Sequence, residues 1–280
     1  MSQQTKQTKQ TKQTQQTQQL KQPEPMRKAG KASARTVRPK EPRGGERRGK
    51  RGPQPFASVL QAVDCAGEAG DADRVRLGES EVRAAAEDFH RRRLEKGLVE
   101  TDGQWFAQAI DEWMDSLACG EPRLSESALL HIAAGTRQTL AMRDAMLVSV
   151  LSSLTRPEMR LLASNPHDAN SAKTVYDALN GVFRDPKTLP DPARCSAGLR
   201  LFSKVVAAVP RRDRAHPLAC VAYVCWWLGF LDESRRCSNE ALEIDPGCSL
   251  ASIILTAAEF RVLPAWADCA VDETRAGGRP

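Results

Sequence analysis

From residue 79 onward the chain is cut into short stretches by residues that end helices, and this punctuation constrains the fold more than any other feature. Gly120, Gly135, Pro157, Asn165-Pro166, Asp185-Pro186, Gly229 and Asp245-Pro246 recur at intervals of a few helical turns, and each either frees the backbone or forbids a continuing helix. Between them, apolar residues recur at three and four, the spacing of one face of a helix. Phe106, Ile110, Trp113 and Leu117 are an example. Strand-like alternation is scarce, so the reading is an all-α fold.

The predicted helices run over about 80 to 96, 104 to 117, 125 to 134, 137 to 154, 157 to 164, 172 to 184 and 193 to 208, with Ser80 as the cap of the first. Three more close the chain at about 216 to 229, 232 to 244 and 248 to 260. The run from Ala215 to Leu231 carries no charge. It is shorter than the roughly 20 residues a bilayer span needs, and reads as a buried core helix.

The helical domain is expected over 78 to 268. Ahead of it, residues 1 to 19 repeat Thr, Lys and Gln, and residues 20 to 55 are rich in Pro, Gly, Lys and Arg. Neither stretch can bury apolar surface, so 1 to 55 is expected to be a disordered basic tail. A short helix carrying Phe56, Val59, Leu60 and Val63, followed by a linker, is expected over 56 to 77, and a disordered end over 269 to 280.

The formal charge of +6 conceals an asymmetry. The first 55 residues hold 15 Lys and Arg against 3 Glu, a net +12, so the remainder carries −6. A mildly acidic body does not attract a polyanion, and any contact with nucleic acid falls to the tail. Arg43, Arg47, Arg48, Lys50 and Arg51 are the candidate phosphate contacts, and such binding is sequence-independent and steep in salt. The bland alternative is a solubilising tail, or an over-extended start with Met26 as an alternative initiator. No apolar stretch follows the N-terminal charges, so a signal peptide is not expected.

Eight cysteines stand at 65, 119, 195, 220, 225, 237, 248 and 269 without the CxxC spacing of a zinc or redox site. Most fall on apolar helices, where Cys acts as a small buried hydrophobe. Gly44 to Lys50 fits the skeleton of a phosphate-binding loop, but Arg51 replaces the Ser or Thr that holds magnesium, and no strand precedes it. Asp111 and Asp115 lie one turn apart and read as a solvated face opposite a core stripe. His216 and Cys220 share a helix face, as a helix-start histidine beside a buried thiol. These patterns point to no catalytic residue, metal or cofactor.

The segment from Ala222 to Pro246 places Ala222, Gly229, Ala241 and Pro246 at the spacing of a tetratricopeptide helical hairpin, where small residues let two helices approach closely. Ser234 stands where Ala is usual and Ser238 where a bulkier residue is. No matching set lies 34 residues upstream, so a single hairpin ending a globular domain is expected, not a solenoid.

Arg143-Asp144-Ala145-Met146-Leu147, Trp226-Trp227-Leu228-Gly229, the run Glu240 to Pro246, Leu250-Ala251 and Leu263-Pro264 together resemble the C-terminal half of an actinobacterial family known as domain of unknown function 4192, over about residues 100 to 268. Arg261 and Val262 replace the glycine which that family carries before its final Leu-Pro. Its N-terminal half has no counterpart here. The resemblance implies a helical fold in a bacterial cytoplasm and supplies no activity. Taken together, these readings favour a non-enzymatic interaction or scaffold protein with a protein partner, and as alternative a protein that binds nucleic acid through its tail.

Overall fold

The computed structural model describes residues 75 to 267. Among them are ten α-helices, one 3-10 turn and no strand: α1 (Glu79–Lys96), α2 (Leu98–Cys119), α3 (Glu126–Thr136), α4 (Ala141–Leu151), α5 (Arg156–Ser164), α6 (Ala169–Arg184), α7 (Pro192–Ala208), the turn Arg211–Asp213, α8 (Ala215–Trp227), α9 (Leu231–Ile244) and α10 (Ser249–Glu259). The fold is all-α and closes with the α8–α9 hairpin.

Local chemistry sets most of these boundaries. Ser125 Oγ accepts from Ala128 N at the start of α3. Thr155 and Glu158 form a reciprocal capping box on α5, and Asp168 and Asp191 cap α6 and α7, the latter with Pro192 in the first turn. Each cap satisfies an N–H that the helix cannot. The first helix differs from expectation: it begins at Glu79, Gly78 is the N-cap residue, and Gly78 N donates to Glu81 Oε2, which leaves Ser80 inside the first turn.

One further boundary departs from the sequence reading. Helix α2 starts at Leu98, not near 104, because Gly97 at φ 88° reverses the chain directly after α1 without a loop. Gly135 stands in the last turn of α3, one residue before its end at Thr136, close to the expected stop. A Cβ there would come within 2.4 Å of the Phe106 ring, so the residue is small to let α2 and α3 touch.

One large core joins α1 to α10, built on Trp113, Trp226, Trp227, Phe89, Phe106, Phe202 and Phe230, all below 2% exposed. Trp113 packs at a tilt against Phe202, with ring centroids 5.0 Å apart, and donates through Nε1 to Ser149 Oγ at 2.9 Å. Buried indole N–H groups need such partners. Helix α8 is the most enclosed, with twelve residues buried, and it packs against α4, α7, α9 and α10. The segment after α10 is pinned to it: Trp226 Nε1 donates to Val262 O and Trp266 Nε1 to Trp227 O. No helix among the described residues is long and apolar enough to cross a membrane.

Candidate interaction groove

Helix α6 is amphipathic yet poorly covered. Of its sixteen residues only Ser171 and Val182 are buried, and its packing partners are α4 and α5. Val175, Ala178 and Leu179 rest against the core while still partly exposed. Tyr176 is 62% exposed and Phe183 39%. An amphipathic helix normally buries its apolar stripe, and this one leaves much of it in contact with solvent.

The result is a groove of about 790 Å³ between α6, the end of α5 and the start of α4. Val175, Tyr176, Leu179 and Phe183 form one wall, Leu162 and Pro166 another, and Asp144 stands at the rim. Phe183 is fixed by the Trp226 ring, 4.6 Å away. Asp144 is held by Arg143, whose Nε and Nη2 reach its Oδ1 at 2.9 and 2.6 Å. The Arg143 side chain is almost enclosed, at 9% exposure, and its Nη1 finds no partner. A mostly apolar trough with few polar groups at its edge suits an apolar side-chain row better than a charged metabolite.

The places marked from the sequence distribute differently. Ala222 and Ala241 are fully buried, Gly229 takes φ 84°, and Pro246 is exposed after α9. They bring α8 and α9 together rather than forming a cleft. Asp111 and Asp115 face α5: Arg160 Nη2 grips both Asp111 oxygens at 2.7 Å, and Arg156 bridges to Asp111 and Asp115. They form an inter-helix ion-pair network on a solvated face. Arg43, Arg47, Arg48, Lys50 and Arg51, with the segment 56 to 74 and the end from 268, lie outside the described residues.

His216 does meet a thiol, but that of Cys248, with Nδ1 and Sγ 3.8 Å apart. Burial, and next the Arg143 charge, pull His216 down, while burial pushes the Cys248 thiol up. Both are therefore neutral near pH 7, and a neutral thiol is a poor nucleophile. Among the described residues no group of three His, Cys, Asp or Glu side chains could hold a metal ion.

Sequence reading located α6 as a helix at 172 to 184 but not its open stripe. The signal is the spacing of Val175, Leu179 and Val182 with Tyr176 and Phe183 alongside. It cannot reveal whether another element covers it. Comparison of the chain with protein-family models, curated proteins and solved structures finds no match. Among the described residues, fold and groove define an all-helical body with an open apolar trough.

Proposed function

We propose that this chain is a non-enzymatic helical interaction protein that docks an apolar, helix-forming segment of a protein partner along α6. The carrying observation is the groove wall of Val175, Tyr176, Leu179 and Phe183, a row of partly solvent-exposed apolar side chains lining one trough. Helix-in-groove recognition reads apolar anchors at i, i+3, i+4 and i+7, and the length of α6 accommodates that spacing. The neutral His216–Cys248 pair offers no activated nucleophile. The resemblance to the actinobacterial family, over about residues 100 to 268, favours a bacterial cytoplasmic setting.

The test is selection of helical peptides from a displayed library against the full chain, followed by anisotropy. Peptides with apolar residues at those spacings should emerge, and Ala172→Glu, a change at an exposed groove residue, should weaken them at least about tenfold, the effect of about 1.4 kcal/mol. Enriched peptides indifferent to Ala172→Glu, or no enrichment in the presence and absence of residues 1 to 74, would overturn the reading.

A second reading rests on the tail's net +12: residues 1 to 55, with Arg43, Arg47, Arg48, Lys50 and Arg51 foremost, bind nucleic-acid phosphates without sequence preference. Its signature is an affinity for duplex or single-stranded probes that falls steeply between low and physiological salt, and that weakens with a shallower salt dependence when the five cations become Gln.

A further inference from the structure

We infer that the groove along α6 is occupied in the intact chain by the chain's own residues 56 to 63. The inference rests on the docking reading above and names the first occupant of that site. Phe56, Val59, Leu60 and Val63 stand at i, i+3, i+4 and i+7 with no charge among residues 52 to 63. They form the one dense apolar cluster between the basic tail and residue 75, and their spacing makes a single apolar face on two helical turns. The trough lined by Val175, Tyr176, Leu179 and Leu162 offers an apolar surface against which such a face can bury itself.

Where the described chain begins supports a docking in cis. Leu77 is buried, and its N–H donates to Ala208 O at 2.8 Å, so the chain leaves the body from a fixed point. Beside that point Glu79 pairs with Arg212 and Arg137, and Arg137 clasps Asp213. Residues 64 to 74 form the tether, with a reach of at most about 40 Å when extended. A tether of this length gives a local concentration on the order of millimolar, enough to keep a micromolar segment bound most of the time.

Docked there, the segment competes with any partner for the groove. The groove then binds a partner only by displacing residues 56 to 63, which lowers apparent affinity by the fraction of chains with the groove open.

The experiment uses a labelled peptide of residues 53 to 64 and three full-length proteins: the natural chain, F56D/L60D, and F56D/L60D with Ala172→Glu. The peptide should bind F56D/L60D at least about tenfold more tightly than the natural chain, and Ala172→Glu should abolish that binding. The natural chain should sediment as a monomer at the concentrations used. Equal, Ala172-dependent binding to the natural chain and F56D/L60D overturns occupation in cis while leaving the docking reading intact. So does a natural-chain dimer that F56D/L60D dissociates, since the segment then comes from a second copy. If the peptide binds neither protein but library-selected peptides do, the inference fails and the groove still docks partners. If selected peptides fail too, both readings fall.

Discussion

Ser234 Oγ donates to the carbonyl oxygen of Ala222 at 2.9 Å, across the α8–α9 hairpin and fully enclosed. At this position a tetratricopeptide hairpin usually has Ala, and the hydroxyl adds a bond between the two helices without adding bulk. Ser234→Ala should cost about 1 kcal/mol by denaturant unfolding, the net worth of such a bond. Ser234→Leu should cost several times more, because the site has no room for the larger side chain. Equal losses from the two would place the residue outside the contact.

A similar close approach joins α7 to α4. A Cβ on Gly198 would lie 2.5 Å from Val150 Cγ2, and both residues are in the core. Gly198→Ala should therefore destabilise the protein by about 1 to 3 kcal/mol, despite the roughly 1 kcal/mol that Ala gains in a helix interior. The double variant V150A/G198A should lose less than the sum of the single losses, since Val150→Ala removes the methyl groups that the new Cβ meets and that Cβ fills part of the space they leave. Strict additivity in unfolding experiments would refute the contact.

Asp102 gives the fold a pH dependence of unusual sign. Its side chain is 3% exposed at the start of α2, and burial pushes its carboxyl up to about 6, against the pull of Arg93. Arg93 Nε stands 2.9 Å away but poorly aligned, and the bond formed is Nη2 to Oδ2 at 3.3 Å. A folded pKa above the unfolded value of 3.8 means stability that is full below about pH 4 and lost as pH rises through 6. The contribution is about 2 to 3 kcal/mol. The difference in unfolding free energy between the natural chain and Asp102→Asn should change by that amount from pH 4 to 7.5, and a difference independent of pH would contradict it.

The thiols divide by burial. Cys119 is exposed, while Cys195, Cys220, Cys225, Cys237 and Cys248 are enclosed; burial pushes Cys237 up to about 11 and Cys195 to about 12. A pulse of iodoacetamide at pH 7.5, mapped by mass spectrometry, should mark Cys119 promptly and the other five only on unfolding. Prompt labelling of any of the five would show that its helix is not packed as described.

How much of this was legible beforehand depended on whether the signal was local. The starts of α5, α7 and α9 are readable within a residue, because Pro157, Pro192 with Asp191, and the Gly229 break act on their own backbone. Gly135 marks the end of α3 to within a residue, but its smallness also serves Phe106, 29 positions earlier in the chain, and sequence spacing does not report such a partner. The expected helix over 137 to 154 is shorter, Ala141–Leu151, since Arg137 is drawn out to Asp213. The groove was illegible for the same reason. The stripe of α6 resembles any core stripe, and only the arrangement of α4 and α5 leaves it open.

The shallow seating of α6 also sets how the molecule breathes. Stability within a fold is distributed by cooperative unit, from helices that open alone to those released only when everything unfolds. With two buried residues in sixteen, α6 belongs to the first kind; α8, enclosed along its length, belongs to the second. The amides of α6 should lose protection through a local opening that leaves α8 untouched. The wall of the groove is then the cheapest part of the molecule to rearrange, so a docked segment can be refitted, exchanged or released without disturbing the core behind it.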